Sequence, residues 1–482
     1  MPTPAAPSAA PVPRSAWLAL AVVLGAAFMS LLDLTIVNVT LPTIRTSLDA
    51  SESALSWIIS GYALAFGLAL IPAGRIGDRI GHKWVFITGL ALFTAASVAC
   101  GLAQNDQQLI VARVVQGLGG GIFFPAVSAF IQLLFPPLSR GKAFAILGAV
   151  TGVSSALGPL VGGLIIQVLG EETGWRWVFA VNLPIGVVVL AAAVLLLPSE
   201  AAGKAASTDL IGLILLSGAL VAILVPLIQG QEEGWPLWTY LSIGGGAVLL
   251  VLFALWERFV ASRRQEPLVP PHLFSHPQFT GGTILALVFF AAFTSIFFTI
   301  SLLWQAGLGH TALESGLVSV PFAIGNIVGA SQSDRLAARL GRAVLAIGVA
   351  LLTVGLTALF LILLLVPTAD LTNWTLLGPL LVAGFGSGLF IAPNVRFIVA
   401  TVDRSEAGAA SGVIGTMQRV GAAAGIAVIG SVFFGNIGPI AGPGDLPGAF
   451  GQAATPALAV SAGLAFVAFL LVFTLPKRVQ LH

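Results

Sequence analysis

Stretches of about 20 predominantly apolar residues return along the whole of this 482-residue chain, and no other feature narrows its fold as far. A helix needs about 20 such residues to cross roughly 30 Å of hydrocarbon, whereas a membrane β-strand is a segment of about ten residues with alternating polarity. The pattern is of the first kind and predicts an all-α membrane protein. Hydrophobic residues make up 57% of the chain and charged residues 8%, with a mean hydropathy of +1.02, which excludes a water-soluble globular fold.

Breaks at charged and Pro/Gly-rich stretches predict fourteen spans. Six lie near 16–39, 53–73, 84–103, 108–132, 143–169 and 176–197. Two follow near 210–229 and 237–256, and six more near 278–305, 313–332, 343–366, 374–398, 407–435 and 454–475. Seventeen of the 21 basic residues then fall in loops on the N-terminal side, against Arg45 and Arg176 on the other, with Arg113 and Arg419 inside spans. Cytoplasmic loops carry such an excess, so both termini are expected in the cytoplasm, with the chain multi-pass in the plasma membrane. Residues 1–15, opening MPTPAAPSAAPVPR, are expected to form a disordered tail. The apolar stretch behind them is too long for a secretory signal core and reads as an uncleaved first span. Cys100, the one cysteine, reads as a small packing residue inside a span, and the five scattered histidines predict no metal site.

The chain also repeats itself. GLGGGIFFP at 117–125 returns as GFGSGLFIAP at 384–393, and GDRIGHK at 77–83 has a looser echo in SDRLAARLGR at 333–342. The offsets, 267 and 256, nearly agree and preserve membrane orientation. They predict two pseudo-symmetric six-helix bundles, 16–198 and 277–482, separated by a linker, 199–276, with two additional helices. Parallel repeats of this kind are used by transporters whose halves rock about a central site.

Five motifs, in order, carry a family resemblance: LDLTIVNVTLP in span 1, GRIGDRIGHKWVF at 74–86, RVVQGLGGG from Arg113, GPLVGG at 158–163, and WRWVFAVNLPIG at 175–186. Over nearly its whole length the chain resembles the fourteen-span drug:proton antiporter branch of the major facilitator superfamily. It departs at Thr40, where alanine is usual, at Gly77 and His82 in the second motif, and at Ser154, where glycine is common. The resemblance implies proton-coupled efflux of amphiphilic small molecules, drugs or antibiotics, by alternating access. It implies a cytoplasmic gate at Gly74, Asp78, Arg79, Gly81 and Lys83, whose plain alternative is a topogenic positive cluster. It also implies an antiporter motif at Gly158, Pro159, Gly162 and Gly163 that seals the outer end of the cavity.

The embedded polar residues can be weighed on their own. Asp33 is the one acid inside the spans away from their ends, and a carboxylate at helix centre costs about 2.5–3.5 kcal/mol unless it faces water or a cation. It lies about six residues below the outer end of span 1 and Arg113 about five below that of span 4, so at 1.5 Å per residue an approach is expected. Burial and a nearby arginine shift a carboxyl in opposite directions, which is what proton coupling at Asp33 and Arg113 requires. A permanent structural ion pair is the alternative. Asn38, Gln116, Gln418 and Arg419 are expected along the substrate path, although Arg419 can instead reach the membrane interface. The small residues of span 5 fit close helix packing, with Pro159 bending the helix. Trp175, Arg176 and Trp177 read as interfacial anchors, and the linker pair as a lipid-facing tether.

No catalytic residue is expected: the spans hold no cluster of His, Asp or Glu, and no glycine loop leads into Lys-Ser/Thr. Transport without a cofactor, driven by the proton gradient, fits better than a membrane enzyme or a lipid scramblase. The partners expected are a small amphiphilic substrate, protons and the lipid bilayer, with no nucleic acid. A membrane-fusion partner is left open, and the unit is a monomer. A related transporter of an amino acid, a siderophore or a secreted metabolite is the alternative.

Overall fold

The computed structural model describes residues 12–170, 172–199, 209–230, 233–263, 267–400, 402–403, 406–438 and 442–476. Regular structure among them is entirely helical. The helices are α1 (Arg14–Leu48), α2 (Glu52–Ile80), α3 (His82–Leu102), α4 (Asp106–Leu134), α5 (Pro137–Leu169), α6 (Gly174–Ala180), α7 (Asn182–Leu196), α8 (Leu210–Gln229) and α9 (Leu237–Ser262). They continue with α10 (Pro277–Leu302), α11 (Ala312–Val318), α12 (Val320–Leu340), α13 (Ala343–Leu365), α14 (Asn373–Val399), α15 (Ala407–Gly435) and α16 (Leu446–Val472). The pairs α6–α7 and α11–α12 each make one span, so fourteen are long and apolar enough to cross a membrane. The molecule is a multi-pass membrane protein, and an even number of spans puts the first and last described helix ends, Arg14 and Val472, on one face, the termini face.

The repeated glycines build the same packing twice. On α4, a side chain at Gly117 or Gly121 would strike α2, falling 3.0 Å from Tyr62 Cα or 2.8 Å from Ala69 Cβ, and one at Gly119 would fall 2.5 Å from Phe93 N on α3. On α14, Gly384 and Gly388 face α12 in the same way, and Gly386 faces α13, where a Cβ would lie 2.7 Å from Leu352 N. Each of these pairs keeps the longer offset of the sequence repeat. Helices meet this closely only where side chains are absent, so the motif fixes a three-helix core in each half.

Several expectations change. α1 runs to Leu48 rather than ending near 39, because Ile44 is fully buried among Trp175, Val178 and Phe179. The turn begins only at Asp49, with φ of 50°. α1 also begins at Arg14, inside the expected tail, while residues 1–11 lie outside the described residues. α16 starts at Leu446, about two turns before the expected span. Of the linker pair only α9 is largely exposed; α8 buries Leu216, Leu220 and Leu224 and packs against α2 and α15. Trp235, in the loop after α8, donates from Nε1 to Ser431 Oγ of α15 at 2.9 Å.

Candidate functional site

Asp33 stands near the middle of α1, about four turns before its end, and is fully buried. Arg113 of α4 lies only about two turns from the start of its helix, so α1 reaches further past the contact than α4 does. The side chains meet all the same. Asp33 Oδ2 accepts from Arg113 Nη1 at 2.5 Å, and Oδ1 accepts from Gln116 Nε2 at 2.9 Å and from Asn182 Nδ2 at 2.7 Å. Asn182 also donates to Ser97 Oγ at 2.9 Å, whose hydroxyl donates to Phe179 O. Arg113 Nε donates to Ile58 O at 3.1 Å, and its guanidinium lies 4.1 Å from the Tyr62 ring centre. Asp33, Arg113, Gln116 and Ser97 have no exposed surface. A neutral, closed network thus ties α1, α2, α3, α4 and α7, and both carboxylate oxygens are occupied by donors.

A second group of contacts closes the termini face. Asp78 Oδ2, near the end of α2, accepts from Ala409 N at 3.1 Å, where the backbone donors of the first turn of α15 point. Asp78 Oδ1 is 3.3 Å from His82 Nε2. Gly81 turns the chain at φ 96°, which a side chain rarely adopts, and Gly74 is buried. Arg79 is exposed, and Lys83 donates to Val194 O and Leu197 O rather than to Asp78. The repeat supplies a counterpart: Arg396 Nη1 of α14 donates to Asp334 Oδ1 of α12 at 2.6 Å, with Gly141 of α5 pressed against both.

The glycines of α5 serve two sides rather than one. Gly158 and Gly162 admit α1, with Cβ positions 2.9 Å from Ile36 N and 3.1 Å from Ile36 O. Gly163 admits α11 of the second half, 2.9 Å from Leu313 N, and Pro159 meets Gly316 there. The halves therefore also touch towards the face opposite the termini. Arg419, half-buried on α15, lays its guanidinium 4.3 Å from the centre of the Phe66 ring on α2. Gln418 beside it is half-buried, and the side chain of Asn38 lies outside the described residues.

The model of the Major Facilitator Superfamily matches residues 23–426 of this chain. The chain belongs to that superfamily. Its relatives include the probable actinorhodin transporter of Streptomyces coelicolor, 38% identical over 91% of this chain and 76% of that protein. The puromycin resistance protein pur8 of Streptomyces alboniger is 34% identical over 90% and 85%, and the tetracenomycin C resistance and export protein of Streptomyces glaucescens 32% over 88% and 77%. The fold matches the proton:xylose symporter XylE with a TM-score of 0.64 at 14% identity, covering 95% of each chain. This facilitator is a transporter of the drug-efflux branch rather than an enzyme.

Sequence reasoning missed several parts of the facilitator's site. Asn182 was readable as the one amide in the apolar stretch VFAVNLPIG, whereas Ser97 resembles any small span residue. Trp175 is no interfacial anchor: it is fully buried, and Arg176 covers its ring at 4.3 Å while donating to Gly101 O and Ala103 O. Trp177 is 55% exposed, as an anchor would be. Asp33 is not alone either. Glu257, just past the expected span end, lies inside α9 at 3% exposure, accepting from Val269 N.

Proposed function

We propose that the chain is a plasma-membrane antiporter that expels an amphiphilic small molecule in exchange for protons, with the termini face towards the cytoplasm. The carrying observation is Asp33: a fully buried carboxylate at mid-helix whose oxygens are taken by Arg113, Gln116 and Asn182. A proton on Oδ2 removes the charge that holds the guanidinium, so protonation loosens α1 from α4. The contact from Asp78 to Ala409, and that of Gly141 of α5 with the Arg396–Asp334 pair of the second half, form the inner gate and open when the halves rock. Gly158, Pro159, Gly162 and Gly163 close the outer end, and Gln116, Gln418 and Arg419 border the path. Two bundles, 16–198 and 277–482, do the work as a monomer without a cofactor, and the antibiotic export and resistance named for its relatives support outward transport of a natural product.

The test is a compound-susceptibility panel in a pump-deficient host, with and without a protonophore, for wild type and Asp33→Asn at equal membrane expression. Resistance that the protonophore abolishes and Asp33→Asn loses is expected. Undiminished gradient-driven efflux by Asp33→Asn overturns the proton-carrier role and leaves Asp33 and Arg113 as a structural pair.

A further inference from the structure

One charge beside the path is left unmatched. Arg113 is balanced by Asp33, but Arg419 has no carboxylate within ion-pair distance among the described residues; its guanidinium rests on Phe66 alone. Phe66 is the central residue of α2 (Glu52–Ile80), and Arg419 lies close to the middle of α15 (Ala407–Gly435), so the contact sits near mid-height between the halves. A guanidinium held there is costly unless water or an anion attends it. Neighbouring groups on α15 are also unmet. Thr416 Oγ1, nearly one turn earlier and 1% exposed, has no hydrogen-bond partner, and half-buried Gln418 forms none among the described residues. The surrounding surface is aromatic: the Phe66 ring lies 5.5 Å edge-on to that of Phe124, which is half-buried.

We propose that the cargo is an aromatic monoanion whose acid group is bound by Arg419, with the Thr416 hydroxyl and the Gln418 amide as additional donors. This rests on the exporter reading and narrows it to a substrate class. A guanidinium matches a carboxylate or sulfonate through two parallel N–H donors, while its other face keeps the ring of Phe66. The class has an electrical consequence. Expelling a monoanion against one entering proton moves two positive charges inward per cycle, a neutral cargo moves one, and a monocation moves none. An inside-negative potential therefore drives anion export hardest.

The experiment uses purified protein in liposomes with an acid interior and three isosteric probes: anthracene-2-sulfonate, the neutral anthracene-2-sulfonamide and a trimethylammonium-substituted anthracene. Wild type should accumulate the sulfonate at least tenfold faster than the sulfonamide, and a potential positive inside should speed it further. Arg419→Gln should erase that preference, and Arg419→Lys should retain part of it. Modification of the single buried Cys100 shows whether each variant is folded. Faster transport of the neutral or cationic probe, or an unchanged sulfonate preference in folded Arg419→Gln, overturns the anion assignment while the exporter stands. Movement of no probe, and of none of the susceptibility compounds, under any pH gradient overturns the exporter reading with it.

Discussion

Gly77 and His82, the two departures within the second motif, are one structural unit. A Cβ at Gly77 would lie 2.9 Å from His82 Cε1 and closer still to Nδ1, whereas ordinary van der Waals contact begins near 3.4 Å. The ring has little room to give: His82 is 3% exposed, has the Phe130 ring 6.2 Å away, and reaches Asp78 at 3.3 Å. Gly77→Ala must therefore push the imidazole by half an ångström or more and loosen its contact with Asp78. Overpacking of this kind costs about 1–3 kcal/mol. The protein carries its own reporter, since Cys100 is the sole cysteine and is fully buried. If thiol labelling follows the open population, that cost raises the labelling rate about 5- to 150-fold. In a His82→Ala background the added methyl occupies space the ring has vacated, and the cost should fall below about 0.5 kcal/mol. Labelling rates for wild type, both single variants and the double variant close the cycle. An equal cost with and without the ring would refute the pairing.

The remaining variants probe the linker and α5, with a control on α16. In the linker, Glu257 Oε1 is buried without a donor, and the Cβ position of Gly212 lies 2.5 Å from Asp209 Oδ2 and 2.6 Å from Glu257 Oε1, so the two carboxyl groups crowd together. Glu257→Gln keeps an acceptor for Val269 N–H and adds a donor for Asp209, so its thermal midpoint, read by Cys100 exposure in detergent, should equal or exceed wild type. Glu257→Ala leaves that amide unmet at a cost of about 1–3 kcal/mol, and a glutamine variant weaker than the alanine variant contradicts this account. Gly163→Ala should separate α5 from α11 and lower both resistance and stability, again by about 1–3 kcal/mol. Gly463→Ala, whose Cβ would meet nothing within 4 Å, should be neutral or gain up to about 1 kcal/mol from helix propensity. Equal effects at the two sites would remove the packing argument.

Span number was legible because bilayer thickness imposes one length on every helix, and the repeat because glycine spacing at 117–121 and 384–388 cannot drift without separating helices. Asp33 and Arg113 were legible because a charge in hydrocarbon is rare enough to notice. What stayed hidden depends on angles between helices. The reach of α1 to Leu48 follows from Ile44 finding Trp175, which lies far along the chain at the start of α6, and no local pattern carries that contact. Arg419 was visible as a charge, but its seat on Phe66 depends on how the two halves meet. Glu257 was missed narrowly at a helix end, where boundaries drawn from hydropathy are least exact.

The two arginines are joined through one helix. Tyr62 and Phe66, one turn apart on α2, share a face of it. The first ring underlies Arg113 at 4.1 Å, and the second underlies Arg419 at 4.3 Å. With 5.9 Å between the ring centres, the guanidinium groups are no more than about 14 Å apart. At an effective dielectric constant near 20, charges at that separation interact by about 1 kcal/mol. The sign of this interaction matters. An anion on Arg419 cancels part of the positive field that favours the Asp33 carboxylate, so the field alone would make cargo and proton bind together. Exchange requires the opposite, and contact must supply it with more than that amount. Phe66 is confined for such a role: Gly120 of α4 brings its backbone so close that a Cβ there would lie 2.8 Å from the ring. A shift of α15 along α2 must therefore leave Phe66 behind or move α4 with it, and α4 carries the guanidinium that occupies Asp33. In the proposed exchanger the antiport sign would then reside in the packing of α2 between α4 and α15, since the field alone works against it.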